Sequence, residues 1–252
     1  MSILRATHQH GWPSLPESEW LPSLISSLES GELTIIGRLV DASNATLLCE
    51  LTVDGEEPLK VIYKPAAGER PLWDFPEGNL AGREVAAFRL SEDLGLSAIP
   101  ETVLREGPFG LGSVQRWIDI DESLDLSSFA SSTSPEIRKI AFLDILLNNT
   151  DRKFGHLLPM DDGRILGCDH GLTFHSEDKL RTVLWQFAFQ PITPQEELLL
   201  TSLDKTLDRE RFGGLISDEE FDALLMRGQR LLDSGVFPGP SEDWPAVPWP
   251  PF

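Results

Sequence analysis

The first half of the chain alternates short apolar runs with turn residues, which is the pattern of an antiparallel sheet. Three runs follow one another: LTIIGRLV (33–40), TLLCELTV (46–53) and LKVIYKP (59–65). The polar stretch 41–45 separates the first two runs, and the turn dipeptide Asp54-Gly55 separates the second from the third. Two more runs lie on either side of a Gly- and Pro-containing turn: ETVLRE (101–106) and GSVQRWID (112–119). We therefore predict five strands in this half of the chain.

Apolar residues at helical spacing predict four helices, with proline or glycine at several of their ends. The predicted helices span residues 21–29, 79–94, 135–149 and 217–232. The third is apolar nearly all round and is therefore expected to be buried. Asp144 lies among the apolar residues of this helix and must then be hydrogen-bonded, and we expect it to brace the following loop through Arg152 or through backbone N–H groups.

Three segments are predicted to lack regular structure. The Ser-rich stretch 121–136 has little to bury and is predicted to be a loop between domains. In 179–203 the aromatics Trp185, Phe187 and Phe189 alternate, and prolines are expected to break any helix. This alternation favours a core position, although stacked aromatics could also hold an apolar or cyclic substrate group. The Pro- and Trp-rich tail 238–252 is predicted to be extended, and either disordered or docked by its tryptophans.

Length and charge limit the classes of function and partner that the chain is expected to have. With 252 residues, 40% of them hydrophobic, the chain can bury a sizeable core as one two-lobed unit or as two small domains. The 41 acidic and 21 basic residues give a net charge of −20, which disfavours nucleic acids and anionic bilayers as partners. The isolated Cys49 and Cys168 imply neither a disulfide framework nor a thiolate metal site, which fits the cytoplasm. No long apolar run or signal core is present, so we expect neither a membrane span nor export.

Charged and metal-capable side chains concentrate in 148–174, NNTDRKFGHLLPMDDGRILGCDHGLTF. Apolar pairs on either side of Asp162-Gly163 predict a small β-hairpin. A two-residue turn at this dipeptide would place His156 directly opposite Asp169, with Cβ atoms roughly 5 Å apart. With Asp151 just upstream, three groups would then meet at one end of the hairpin, as metal-assisted phosphoryl transfer requires. An acidic surface hairpin with an incidental histidine fits the same spacing.

A second candidate pair comes from the predicted helix 79–94. Leu80, Glu84, Ala87 and Phe88 fall on one face at helical spacing, so Glu84 lies in an apolar stripe. A carboxylate there is costly unless a cation meets it. Lys64, at the end of the third strand, is the expected partner. The alternative is a solvated glutamate at the margin of the stripe.

These residues carry a resemblance. Residues 149–152 (NTDR) followed by 168–174 (CDHGLTF) resemble the catalytic loop and metal-binding segment of the type II phosphatidylinositol 4-kinases. More loosely, they are similar to the wider phosphatidylinositol 3/4-kinase and HipA-like group and to an uncharacterised actinobacterial family of kinase-like proteins. The resemblance places Asp151 at the catalytic aspartate and Asp169 at the metal-binding aspartate. His156 stands where that family has an asparagine. This difference affects which metal the site would bind and whether the site is catalytically active.

The resemblance implies a fold and a cofactor. The fold would be α+β and two-lobed, protein-kinase-like, with a small antiparallel-sheet N-lobe and a mostly helical C-lobe. ATP would lie between the lobes, with Lys64 on its phosphates and Glu84 positioning Lys64. Backbone N–H groups of the first turn, including Ser43 and Asn44, would lie over the phosphates. An ordinary polar turn explains these residues equally well. Mg²⁺ or Mn²⁺ would be the metal.

The remaining roles also follow from the resemblance. Gln115, Trp117 and Ile118 would belong to the hinge that binds the adenine edge. Lys153 or Arg152 would stabilise charge on the transferred group. The implied activity is transfer of the γ-phosphate to a hydroxyl of an unknown acceptor: a small molecule, a lipid head group or a protein. A nucleotide-binding pseudokinase and a nucleotidyl transferase are the alternatives.

The same reading gives the domain boundaries. We expect an N-terminal extension over 1–31, an N-lobe over 32–121, a C-lobe over 122–235 and a tail over 236–252. The cysteine-rich acylated insert that the lipid kinases use for membrane attachment has no counterpart in the sequence. A membrane lipid is therefore a less favoured acceptor, and stable membrane association is not expected.

Overall fold

A computed structural model describes residues 17–39, 45–55, 57–70, 72–75, 78–120 and 124–252. One sheet of five antiparallel strands, in the order β1-β2-β3-β5-β4, forms the smaller lobe. The strands are β1 Glu32–Arg38, β2 Leu47–Thr52, β3 Leu59–Pro65, β4 Thr102–Gly107 and β5 Gly110–Arg116. All five predicted strands are confirmed. Because successive side chains of a strand point to opposite faces, the sheet has one face for each of two packing partners.

Helix α1, Glu17–Ser30, covers one face of this sheet. Its buried Leu24 and Leu28 pack in a cluster whose sheet members are Cys49, Leu51, Val61, Tyr63, Val103 and Val114. Arg105 on β4 donates to the carbonyls of Leu28 and Gly31, which satisfies acceptors at the end of the helix. The helix begins earlier than the predicted residue 21 and is part of the core of the lobe.

The opposite face of the sheet carries Lys64 and meets helix α2, Leu80–Asp93. On β3, Lys64 alternates with the fully buried Tyr63, so the lysine points away from α1 and toward α2. Helix α2 also joins the larger hydrophobic core, through Val85, Phe88 and Leu90. Helix α2 therefore links the sheet to the second lobe.

The larger lobe is mostly helical. Its elements are α3 Leu126–Ala130, α4 Pro135–Leu147, the hairpin strands β6 Leu157–Pro159 and β7 Ile165–Gly167, α5 Pro194–Thr206, α6 Arg209–Phe212 and α7 Asp218–Ser234. The predicted helices at α4 and α7 are confirmed. The α+β architecture, with an antiparallel sheet in one lobe and helices in the other, is therefore the predicted one.

Two predictions of irregular structure are wrong. The Ser-rich segment contains α3, whose N-terminus is capped by Asp125 through a hydrogen bond from the Ser127 N–H. Pro194 does not break a helix but begins α5, where a missing N–H costs nothing. Thr193 and Glu196 form a reciprocal capping box at this start.

The hairpin β6–β7 has a different register from the predicted one. Pro159 pairs with Ile165 and Leu157 pairs with Gly167, so three residues, 161–163, form the loop. Gly163 has φ +87°, the left-handed conformation that ends a three-residue hairpin loop. The predicted pairing of His156 with Asp169 is therefore wrong by one residue.

Candidate active site

Lys64 lies at the centre of the site and joins three segments of the chain. Its Nζ forms an ion pair with Glu84 of α2 and lies 2.7 Å from Oδ1 of Asp169, which follows β7. Glu84 is buried, and its second oxygen accepts the backbone N–H of His170 at 2.9 Å. Burial opposes the charge of Lys64, but Asp169 and Glu84 outweigh it and raise the pKa of the lysine above its usual range. Lys64 is therefore a fixed cation between the lobes.

Asp169 reaches both Lys64 and His156 because of its backbone conformation. The residue has φ +59°, a left-handed geometry that short polar side chains accept more readily than others. Its Oδ2 lies 3.3 Å from Nε2 of His156, although the residue opposite His156 in the hairpin is Cys168, whose N–H donates to the His156 carbonyl. Lys64 holds the pKa of Asp169 well below its usual range, so Asp169 is ionised. The predicted approach of the two side chains occurs, although the predicted register does not.

Asp151, His156 and Asp169 form a cluster with the donor set of a metal site. One ligand atom from each residue lies within 4.8 Å of the others. Burial lowers the pKa of His156 to about 4, so its imidazole is neutral at pH 7 and has a free lone pair. Two carboxylates and a neutral imidazole suit Mn²⁺ better than Mg²⁺, which prefers oxygen alone. The residues present therefore fit a divalent cation.

Asp151 lies on the loop that follows α4 and is held from its backbone. Its N–H donates to Oδ1 of Asn149 at 3.0 Å, and Nζ of Lys153 lies 3.1 Å from Oδ2. Burial raises the pKa of Asp151, and the lysine only partly offsets this effect. A raised pKa makes Asp151 a stronger base than an ordinary carboxylate.

Arg152 and Asp144 hold this loop from inside. Both oxygens of Asp144 accept from the guanidinium of Arg152, at 2.9 and 2.8 Å, and one also accepts from Asn149 at 2.9 Å. The remaining terminal nitrogen donates to the carbonyls of His156 and Cys168 at 3.2 and 3.0 Å. The predicted bracing by Asp144 is confirmed, and a single guanidinium ties α4 to both arms of the hairpin.

The predicted catalytic role of Arg152 is wrong. Its side chain is 0% exposed, and its donors are used inside the protein, so it has no access to a transferred group. The neighbouring Lys153 is the one of the two cations that faces Asp151. The two adjacent residues point in different directions: Arg152 faces inward to Asp144, as the expected bracing requires, and Lys153 faces Asp151.

The predicted hinge is only partly available for a nucleotide. The Gln115 amide donates to Oγ1 of Thr102 at 2.8 Å and is buried. The backbone N–H of Trp117 donates to the Lys60 carbonyl at 3.0 Å, and Ile118 is buried. An adenine ring could therefore contact this segment only through backbone groups other than the Trp117 N–H. The buried Gln115 side chain could not contact the ring.

The predicted phosphate-binding turn, with Ser43 and Asn44, lies outside the described residues. The strands on either side of it are described and pair up to Arg38 and Leu47. The Leu39 N–H continues the ladder by donating to the Thr46 carbonyl at 3.0 Å. The role of the turn therefore stays a prediction.

The C-terminal tail docks against the loop that carries Asp151, a contact that the sequence left open. The Phe154 N–H donates to the Pro251 carbonyl at 2.9 Å, and the Thr182 N–H donates to Ala246 at 3.1 Å. The Trp244 ring lies 5.0 Å from Nζ of Lys179 and 5.4 Å from Cζ of Arg181. Arg181 in turn donates to the carbonyl of Thr150 at 2.7 Å, next to Asp151. The tail therefore supports the loop from outside, as Asp144 and Arg152 do from inside.

Replacing Trp244 by alanine is expected to destabilise the protein by about 1–2 kcal/mol, because two cation–π contacts and the packing of the ring are lost. Hydrogen exchange at the Phe154 N–H should become faster, since its acceptor lies in the released tail. The matched control is Trp249→Ala, because Trp249 is 89% exposed and should change neither quantity. Equal effects of the two substitutions would show that Trp244 does not hold the tail in place.

Comparison with known proteins gives the family. No protein-family model matches the chain. Protein Rv2133c of Mycobacterium tuberculosis is 41% identical over 89% of this chain and 94% of its own length. The chain belongs to the Rv2133c family. This relative is an actinobacterial protein, as the resemblance implied.

More distant relatives of this Rv2133c-family chain are plant proteins. Phosphatidylinositol 4-kinase gamma 4 of Oryza sativa is 27% identical over 86% of the chain, and its Arabidopsis thaliana counterpart is 30% identical over 63%. The chain spans only 45% and 34% of the length of these two proteins.

Solved structures confirm the kinase-like fold of this Rv2133c-family chain. The Golgi casein kinase with Mn/ADP bound matches with a TM-score of 0.57 and 15% identity, over 87% of this chain and 76% of that one. Hydra Fam20 with sugar matches with a TM-score of 0.50 and 14% identity, over 84% of this chain and 86% of that one.

None of the helices in the described part of the chain combines the length and apolar character that a bilayer crossing requires.

Proposed function

We propose that the protein is an ATP-dependent phosphotransferase that moves the γ-phosphate to a hydroxyl group. The observation that carries this proposal is the position of Lys64, whose Nζ contacts both Glu84 and Asp169 while Asp169 lies beside His156 and Asp151. A fixed cation next to a cluster of metal ligands and a carboxylate base is the arrangement that phosphoryl transfer requires.

The relatives support the same conclusion. The Golgi casein kinase, which shares the fold, has Mn and ADP bound, which supports a nucleotide and a divalent ion as ligands of this chain. The plant relatives are named as kinases of phosphatidylinositol, an acceptor whose reacting group is a ring hydroxyl. We infer ATP as phosphate donor, Mn²⁺ or Mg²⁺ as metal, and a hydroxyl of a polyol, a lipid head group or a protein as acceptor.

Each side chain then has a defined task. Lys64 binds the phosphates of ATP, and Glu84 keeps Lys64 in place. The oxygen of the acceptor hydroxyl forms a bond to the γ-phosphorus while the bond between that phosphorus and the ADP oxygen breaks. Asp151 takes the proton that the hydroxyl loses. Lys153 stabilises negative charge on the transferred group.

The metal would be held by Asp169 and His156, with Asp151 beside them as the base. A divalent ion held there would neutralise negative charge that develops on the phosphates during transfer. His156 supplies nitrogen where the resembling kinases supply an amide oxygen, and this difference favours Mn²⁺ over Mg²⁺.

The test uses the full chain with ATP labelled in either the γ- or the α-phosphate, in Mn²⁺ and in Mg²⁺, with inositol and dephosphorylated casein as probe acceptors. Transfer or release of the γ-label that is lost in Asp169→Ala supports the proposal. Transfer of the α-label would show a nucleotidyl transferase instead. ATP binding without release of either label would show a nucleotide-binding regulator, a second candidate that the His156 position favours.

Replacing Lys64 by methionine is expected to lower kcat/KM for ATP roughly 10²-fold, because a fixed cation on the phosphates is lost. The matched control is Lys60→Met, since Lys60 lies on the same face of β3 but is exposed. Steady-state kinetics with varied ATP measures both variants. Equal kinetics for the Lys64 and Lys60 variants would place the nucleotide elsewhere.

A further inference from the structure

Arg181 is fixed against the loop that contains the proposed base. Its backbone N–H donates to the Asn149 carbonyl at 2.9 Å, and its own carbonyl accepts the Arg152 N–H at 3.1 Å. The side chain is fixed as well, because Nε donates to the Thr150 carbonyl at 2.7 Å and Cζ lies 5.4 Å from the centroid of the Trp244 ring. Main chain and side chain thus both tie Arg181 to the residues next to the base.

The outer edge of this guanidinium is unused. Neither terminal nitrogen, Nη1 or Nη2, has an acceptor in the part of the chain that the structure describes, and neither is a buried donor. The side chain is partly exposed, so the two nitrogens are open to solvent. A surface arginine normally loses rotamer entropy when it binds a ligand. In Arg181 the fold has already fixed the side chain, which leaves a planar pair of donors preorganised for an anion.

The cations near the base differ in whether they already have a partner. Lys153 is paired with Asp151 at 3.1 Å, and Lys179 is matched by two carboxylates at 2.9 and 3.2 Å. Burial raises the pKa of Asp151, whereas Lys153 and Arg181 lower it, so the charge of Arg181 is felt at the base. Arg181 nevertheless forms no ion pair with any carboxylate in the described residues. It is therefore a cation beside the base whose charge is not matched by a bound partner.

Arg181 is also separate from the groups assigned to ATP and the metal. Its contacts within the described segments are with the loop and the tail, whereas Lys64 contacts Glu84 and Asp169. The hydroxyl that receives the phosphate must lie within hydrogen-bond reach of Asp151. Another group on the same acceptor molecule then comes close to the free edge of Arg181.

We propose that Arg181 binds a phosphate group that the acceptor already carries, and so selects a phosphorylated polyol over the neutral polyol. The inference rests on the proposed phosphotransfer, because Asp151 defines where the reacting hydroxyl lies. Nη1 and Nη2 would donate two parallel hydrogen bonds to two oxygens of that phosphate, and Trp244 would hold the plane of the guanidinium. Arg181 takes no part in the bond changes and determines which acceptor is bound.

The test is a calorimetric titration of the full chain with inorganic phosphate, myo-inositol 1-phosphate and myo-inositol, without ATP. Inositol 1-phosphate should bind roughly tenfold more tightly than inositol or better, because it alone of the two carries the anion. Arg181→Gln should remove this difference. The matched control is Lys205→Gln, at an exposed cation near the end of α5, which should keep the difference. Absence of binding of both phosphate compounds would overturn the proposal.

A second comparison separates the acceptor site from the ATP site. Lys64→Met should keep the preference for inositol 1-phosphate, and Arg181→Gln should change the affinity for ATP less than about twofold. Inositol 1-phosphate binding that is lost in Lys64→Met and kept in Arg181→Gln would overturn the proposal, as would a loss of ATP affinity in Arg181→Gln as large as in Lys64→Met. These titrations need no turnover, so a failure of γ-phosphate transfer contradicts the proposed function without changing their result.

A further measurement on the unmodified chain covers the case in which Arg181→Gln does not fold. The indole N–H signal of Trp244, assigned from the spectrum of Trp244→Phe, should shift during the inositol 1-phosphate titration, because the ring packs on the guanidinium. Its shift should follow the same saturation curve as the heat of binding. A complete titration that leaves the Trp244 signal in place would show that the phosphate binds elsewhere.

Discussion

Replacing Asp151 by alanine is expected to lower kcat for phosphate transfer about 10²–10⁴-fold, the usual contribution of a general base. Burial gives this carboxylate a raised pKa, and the Asn149 side chain and Lys153 fix its position, so it is suited to take a proton from a hydroxyl. ATP affinity should change little, because Lys64 and Glu84 remain in place. Single-turnover kinetics together with nucleotide binding separates these two quantities.

Asp151→Asn and Asp161→Ala complete this experiment. Asparagine keeps the shape of Asp151 but cannot accept the proton, so it should be as inactive as alanine. Asp161 is an exposed aspartate on the turn of the hairpin, and its loss should leave kcat unchanged. A fully active Asp151→Asn variant would rule out Asp151 as the base.

The largest loss of stability is expected for Arg152→Ala, about 3–5 kcal/mol in the free energy of unfolding. The substitution leaves Asp144 as a buried charge without its partner and removes the donors that hold both arms of the hairpin. For a chain of this length the midpoint of thermal unfolding should fall by roughly 10 °C or more. Arg152→Lys should also be destabilising, because an ammonium cannot reproduce the bidentate contact.

A double-mutant cycle with Asp144→Asn measures the coupling between the two residues. We expect the double variant to be less destabilised than the sum of the single variants, since neither buried charge is then left alone. Arg209→Ala is the control, because its ion pairs with Asp218 and Asp222 are exposed and should be worth less than about 1 kcal/mol. Additive effects at Arg152 and Asp144 would show that this ion pair does not brace the loop.

Local patterns predicted those parts of the site that depend on one element and its neighbour. The period of two placed Lys64 on one face of β3, and the helical period placed Glu84 in an apolar stripe. A buried carboxylate needs a cation, so these two observations together gave the ion pair that the structure contains.

The hairpin shows what a local pattern leaves undecided. Asp162-Gly163 is compatible with a two-residue and with a three-residue loop, since both need a glycine at positive φ. The structure uses the longer loop, and the left-handed backbone of Asp169 then returns its side chain to His156. The approach of His156 and Asp169 thus depends on a conformation that no spacing rule specifies.

Other features depended on distant contacts or on signals that were overlooked. The start of α5 is visible in the sequence, because Glu196 follows Thr193 by three residues, which is the spacing of a capping box. This signal outweighs the helix-breaking effect of Pro194. The docking of the tail depends on Lys179 and Arg181, which lie more than sixty residues from Trp244 in the sequence. Only the folded chain brings such groups together.

The central claim is that one divalent ion is held by His156 and Asp169 beside the phosphates of a nucleotide. Pulsed electron paramagnetic resonance of Mn²⁺ bound together with a non-hydrolysable ATP analogue tests it most directly. We predict nitrogen coupling from one imidazole and phosphorus coupling from the nucleotide on the same ion. His156→Ala should remove the nitrogen coupling, and Asp169→Asn should abolish Mn²⁺ binding. Phosphorus coupling without nitrogen coupling, unchanged in the Asp169→Asn variant, would contradict the account.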